Sequence, residues 1–145
     1  MSRLDSFQLQ QCDIQGRLFE LALKSGYDSP LFIHNFMKSD VAKALDRTYD
    51  RAQWAGEEYL LEALNDEVHG LVKGGTLYDN EMMYWSGYVY RYWHYYTGES
   101  SAQIIDIADA QLMDQSWLGF HTLDVEMAID RLKEIHDLSL RHQAH

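Results

Sequence analysis

"MMYWSGYVYRYWHYYTGESS", residues 82–101, decides the fold of this chain. Between Tyr84 and Tyr96, eight of thirteen residues are Tyr or Trp, with Arg91 and His94 among them. Two periods compete. Tyr84, Tyr88, Tyr90 and Tyr92 alternate as a strand would, and aromatic residues favour strands. Trp85, Tyr88, Val89, Tyr92 and Tyr96 also fall on one helical face. The ends decide for a helix, because Asp79 is a capping-type start and Gly98 a stop.

On that helix, Trp85, Tyr88, Val89, Tyr92 and Tyr96 are the expected core stripe. Tyr84, Arg91 and Tyr95, with Tyr88 at the border, form a second stripe. Gly87, Tyr90 and His94 are expected opposite the core. A helix aromatic on every side is expected at the centre of a bundle, packed all round. Gly87 inside it costs about 1 kcal/mol relative to Ala, so close approach of another helix or a ligand is expected there.

Outward from this stretch the signals are also helical. Residues 6–25 put Phe7, Ile14, Leu18, Leu21 and Ala22 on one stripe before Gly26. Ser29 and Pro30 read as the cap and first position of a second helix. "SDVAKALD" reads as a third, capped by Ser39 or Asp40. Residues 51–72 repeat Trp54, Leu61, Leu64, Val68 and Leu71 at helical spacing up to Gly74-Gly75. Ser100 and Gln103 make a capping box, a helix is expected over 110–119, and Asp124 caps a last one over 125–137. The tail from about 138 to 145 is expected to fray. The reading is a single all-α domain over 1–145, an irregular orthogonal bundle of seven or eight helices with a central aromatic helix.

Composition narrows the function. Length and hydrophobic content suit one globular domain. No apolar run approaches the ~18 residues needed to span a bilayer, no signal peptide is expected, and Cys12 is the only cysteine. A cytoplasmic protein with no membrane partner is expected. The formal net charge is −11, and no Lys or Arg lies between Trp93 and Asp130. Nucleic acid is therefore not an expected partner, whereas a protein with a basic surface is.

The aromatic stretch keeps several readings open: core, partner-binding face, base-stacking platform and small-ligand pocket. Tyrosines around an arginine have the composition of interface hot spots. Chemistry elsewhere is sparse. Glu62, Asp66 and His69 share one side of a helix spanning 51–72, but no second helix supplies a matching set of metal ligands. Ser100 and Ser101 lack a nucleophile elbow, and "KGGT" at 73–76 is not a phosphate loop. No cofactor, metal or catalytic residue is expected. The competing reading is a small-molecule or nucleotide-binding enzyme with a pocket near Tyr84, Arg91, Tyr95 and His121.

"FMKSDVAKALD", "QWAGEEYLLEAL", "YWSGYVYRYWHYYTGESS" and "GFHTLDVEMAIDRLKEI" together resemble a small family of bacterial proteins across nearly the whole chain. Genes of that family neighbour a predicted ADP-ribosyltransferase-like toxin, and the C-terminal phrases look like the helical module encoded beside such toxins. The resemblance implies an antitoxin or accessory role in a toxin–antitoxin system. Its motif positions here are Tyr88, Arg91, Tyr92, Trp93, Glu99, Ser100, His121 and Thr122, with Trp54, Glu57 and Glu58 upstream. The partner-binding set is thus Tyr84, Tyr88, Arg91 and Tyr95, with Glu57, Glu58 and Glu99 to meet basic groups, and His121. Association between copies of the chain is compatible with the same set.

Overall fold

The central helix forms because both its ends are specified locally. The Asp79 carboxylate accepts the N–H groups of Glu81 at 2.9 Å and Met82 at 3.3 Å, filling orphan donors of the first turn. Gly98 closes the other end at φ 81°, its N–H donating to the His94 carbonyl, a conformation that disfavours any residue with a Cβ. The computed structural model describes residues 4–143. Among them, eight α-helices account for nearly all regular structure: α1 (Ser6–Lys24), α2 (Ser29–Met37), α3 (Asp40–Asp46), α4 (Glu57–Glu67), α5 (Asn80–Thr97), α6 (Ser101–Ile107), α7 (Ala110–Phe120) and α8 (Val125–Gln143). A short 3₁₀ turn at Arg51–Trp54 and one isolated bridge between Tyr27 and Lys73 complete it. The chain is a single all-α domain.

Helix α5 packs against α1, α6, α7 and α8, so most of its middle is covered, while Tyr84, Trp85, Tyr88 and Tyr95 stay half-buried. Its closest neighbour is α1, and Gly87 is the reason. A Cβ on Gly87 would lie 2.5 Å from the Gln15 carbonyl oxygen. Gly16 faces the Tyr84 ring, where a Cβ would sit 2.7 Å from the ring carbons. Two glycines therefore let the helices approach backbone to backbone. On the far side of the core, Phe19 meets Phe32 and Phe36 edge-on at 5.2 and 5.6 Å, a favoured ring geometry.

The expectation that Tyr90 and Gly87 face away from the core is overturned. Both are buried, because the middle of α5 is covered, and the Tyr90 hydroxyl donates to the Ala108 carbonyl at 2.7 Å. The expected helix over 51–72 is also broken. Asp50 caps the 3₁₀ turn, Ala55 and Gly56 are extended, and Gly56 starts a separate α4 that stops at Glu67. Val68 and Leu71 lie beyond that end, and His69 takes a left-handed φ of 59°. Asp28, rather than Ser29, caps α2 by accepting from the Leu31 N–H. Helix α8 continues past 137 to Gln143, so 138–143 are helical; residues 144 and 145 lie outside the described residues. No helix among the described residues is long and apolar enough to cross a membrane.

Candidate functional site

Arg91 enters the interior from the middle of α5 and is 1% exposed. A buried guanidinium is tolerated only when paired and hydrogen-bonded, and three elements of the chain converge to do this. Arg91 Nε donates to Gln15 Oε1 of α1 at 2.8 Å, Nη1 to Asp46 Oδ1 of α3 at 2.6 Å, and Nη2 to Ser101 Oγ of α6 at 3.2 Å. Asp46 is held in turn by the Ser101 backbone N–H at 2.8 Å and the Ser101 hydroxyl at 2.7 Å. Gln15 spends its amide on the Gly87 carbonyl at 3.0 Å. Each partner is thus fixed by another, which makes the network a lock between four helices.

Above Asp46 the protein is open. A cavity of about 440 Å³ is lined by Asp46 and His94 together with the rings of Phe7, Tyr49, Trp54 and Tyr95. His94 Nδ1 lies 2.7 Å from the Glu99 carbonyl and 3.8 Å from Asp46 Oδ1, and its ring packs on Tyr95 at 5.4 Å. Burial pushes the Tyr95 phenol up to about 12, with Arg91 pulling the other way. A second groove of about 640 Å³ adjoins the first, with Trp54 in the wall of both; its floor includes Ala44, Ala52, Ala63 and Leu60, and Tyr59 stands at its edge.

The residues singled out from the sequence do not form one surface. Arg91 is locked inside and cannot reach a partner directly. Tyr95 lines the cavity, but Tyr84 and His121 do not. The Tyr84 hydroxyl donates to Asp13 Oδ1 at 2.5 Å, and burial together with that bond raises its pKa well above the usual tyrosine range. Tyr88 stacks between Tyr84 and Tyr92. His121 is exposed at the end of α7, stacked on Trp117 at 4.9 Å. The pocket expected near Tyr84, Arg91, Tyr95 and His121 is therefore not assembled as such.

The acidic candidates also divide. Glu99 accepts from the Trp93 indole at 2.9 Å and from Lys133 Nζ at 3.2 Å. Burial raises its pKa, but the bonds from Trp93, Thr97 and Lys133 outweigh burial, and the carboxyl sits below its ordinary range. Glu57 and Glu58 line a different, small groove with Arg17 and Lys24. Much of the acidic run after Trp93 is engaged by other groups of the chain: Asp106 pairs with Lys38 at 2.8 Å, Glu126 accepts from Tyr92 at 2.7 Å, and Asp130 accepts from Tyr96 at 3.1 Å. Asp109 and Asp124 act as helix caps.

Cys12, Ser100 and Ser101 have structural partners. Cys12 is fully buried, and burial pushes its thiol up to about 12, more than nearby Arg91 offsets; it stays protonated at neutral pH. Ser100 caps α6 in a capping box, and Ser101 is bound to Asp46. Among the described residues no three His, Cys, Asp or Glu side chains gather into a metal-binding group.

Two features escaped the sequence reading. Asp46 has no local signal as the partner of a residue 45 positions away. The open aromatic segment has no sequence signal of its own, because Trp54 keeps helical spacing with Leu61 and Leu64. No family model, no curated protein and no solved structure matches this chain.

Proposed function

We propose that this protein acts by binding another protein, as a non-catalytic interaction module. One observation carries the reading: Tyr49, Trp54 and Tyr59 are 90%, 81% and 64% exposed, close together in sequence and around two adjoining grooves. Large exposed rings on concave ground are the usual anchors of an interface. A net charge of −11 favours a partner with a basic surface. The phrase resemblance supplies a candidate partner, an ADP-ribosyltransferase-like toxin encoded next door in a bacterial genome, which the protein would neutralise in the cytoplasm by steric occlusion.

The face that would do this differs from the Tyr84–Arg91–Tyr95 stripe. It is the segment from Tyr49 to Tyr59, with Tyr95 contributing from α5. Arg91 acts indirectly, by holding α1, α3, α5 and α6 in the arrangement that leaves those rings outside.

The test is co-expression with the neighbouring toxin gene. Wild-type protein is expected to restore growth and co-elute with the toxin, and a Trp54→Ala/Tyr59→Ala double variant to do neither while keeping its melting temperature. Equal protection by the double variant would rule the face out. Failure of the wild-type pair to co-elute would remove the toxin as partner.

A further inference from the structure

The cavity above Asp46 can be read more finely, and its chemistry points to a cation. Its walls include the rings of Phe7, Tyr49, Trp54 and Tyr95, whose faces are electron-rich. Asp5 and Asp46 add carboxylates to the lining; Asp46 is already paired with Arg91 and Ser101, and Asp5 accepts the Gln8 N–H as the cap of α1. Arg47 also lines the cavity, paired with Asp50 at 2.8 Å, and Arg91 lies close by, paired with Asp46. The volume of about 440 Å³ accommodates a long side chain with its hydration partly removed.

We infer that this cavity receives one arginine side chain from the partner protein, its guanidinium stacked among the aromatic rings and facing the exposed carboxylate of Asp5. The assignment rests on the protein-binding reading above. Arginine fits better than lysine because its guanidinium is planar, is less strongly hydrated, stacks on ring faces and presents two parallel N–H groups to a carboxylate. The charge complementarity is general as well as local, since a strongly acidic chain meets a basic partner. The adjoining alanine-floored groove lies across Trp54, where an apolar neighbour of that arginine would fit.

The experiment is a nuclear magnetic resonance titration of the isotope-labelled full chain with three probes: N-acetyl-arginine amide, its neutral isostere N-acetyl-citrulline amide, and N-acetyl-lysine amide. The arginine probe is expected to give saturable shifts at the Trp54 indole and at Tyr95, with a Kd on the order of 1–10 mM for a single residue. The citrulline and lysine probes are expected to bind about tenfold and about threefold more weakly. Tyr49→Ala and Trp54→Ala, at exposed positions, should each weaken the arginine probe about fivefold without moving the melting temperature.

No saturable shift, equal binding of citrulline or lysine, or arginine shifts that survive both substitutions would each overturn the assignment. If no probe binds while the Trp54→Ala/Tyr59→Ala variant still fails to protect against the toxin, the arginine assignment falls and the protein-binding reading stands. If the arginine probe binds but that variant protects normally, a cation site remains and the reading on which its partner rests falls.

Discussion

Two groups of aromatic residues in this chain have opposite fates. In α5, tyrosines and tryptophans are dense, yet most of their polar ends are tied down: Tyr84 to Asp13, Tyr90 to the Ala108 carbonyl, Tyr92 to Glu126, Tyr96 to Asp130 and Trp93 to Glu99. Between Tyr49 and Tyr59 the rings are few, and they stand open to solvent. Aromatic density therefore does not locate the surface that another molecule would use. What separates the two groups is whether the surrounding helices bring acceptors and packing atoms to each ring.

If that comparison is right, the interior group should be sensitive and the exterior one tolerant. Asp46→Ala is the hardest test. It strands a buried guanidinium, and a loss of about 3–5 kcal/mol in denaturant unfolding is expected; a loss below about 1 kcal/mol would show that water can replace the carboxylate. Gly87→Ala follows, because its new methyl meets the backbone of α1 rather than a movable side chain. The cost should be near the upper end of about 1–3 kcal/mol.

Alkali sharpens the same contrast. The folded pKa of Tyr95 is raised to about 12, above an unfolded value of about 10. Its contribution is therefore fully present below about pH 10 and is lost as pH rises through 12. Ultraviolet difference titration should show Tyr95 ionising above the ordinary tyrosine range, and a Tyr95→Phe variant should lose that component. Ser86→Ala is expected to be neutral or stabilising by about 1 kcal/mol, since Ser86 Oγ is buried with no hydrogen-bond partner. Smallest of all, Tyr49→Ala should change stability by no more than about 0.5 kcal/mol, read by thermal unfolding, although it belongs to the proposed docking face.

The helical class and the caps were legible in the sequence because they depend on neighbours in the chain. Asp79 and Gly98 bound α5 as read, and the Ser100–Gln103 box is formed. Gly87 was legible too, since a glycine inside a helix requires a compensating close approach, and Gln15–Gly16 provides it. The break at Ala55-Gly56 was missed because Trp54, Leu61 and Leu64 keep helical spacing across it. Periodicity does not register that Asp50 and Gly56 each begin a new element. Asp46 was missed for a different reason: its pairing with Arg91 exists only after α3 and α5 meet. The stripe containing Arg91 looked like an anchor for a partner because sequence shows charge but not the helices that converge upon it.

The seam between α1 and α5 also bears on how the molecule is made. Gln15 bonds to Gly87, 72 residues further along the chain. On a ribosome, α1 can meet α2 and α4 as they emerge, but its longest seam cannot close until α5 has cleared the exit tunnel. The face of α1 around Gln15 and Gly16 must wait through the synthesis of α2, α3 and α4. Because domains generally fold as units during synthesis, the final assembly of this one is a late event, coupled to the emergence of Gly87.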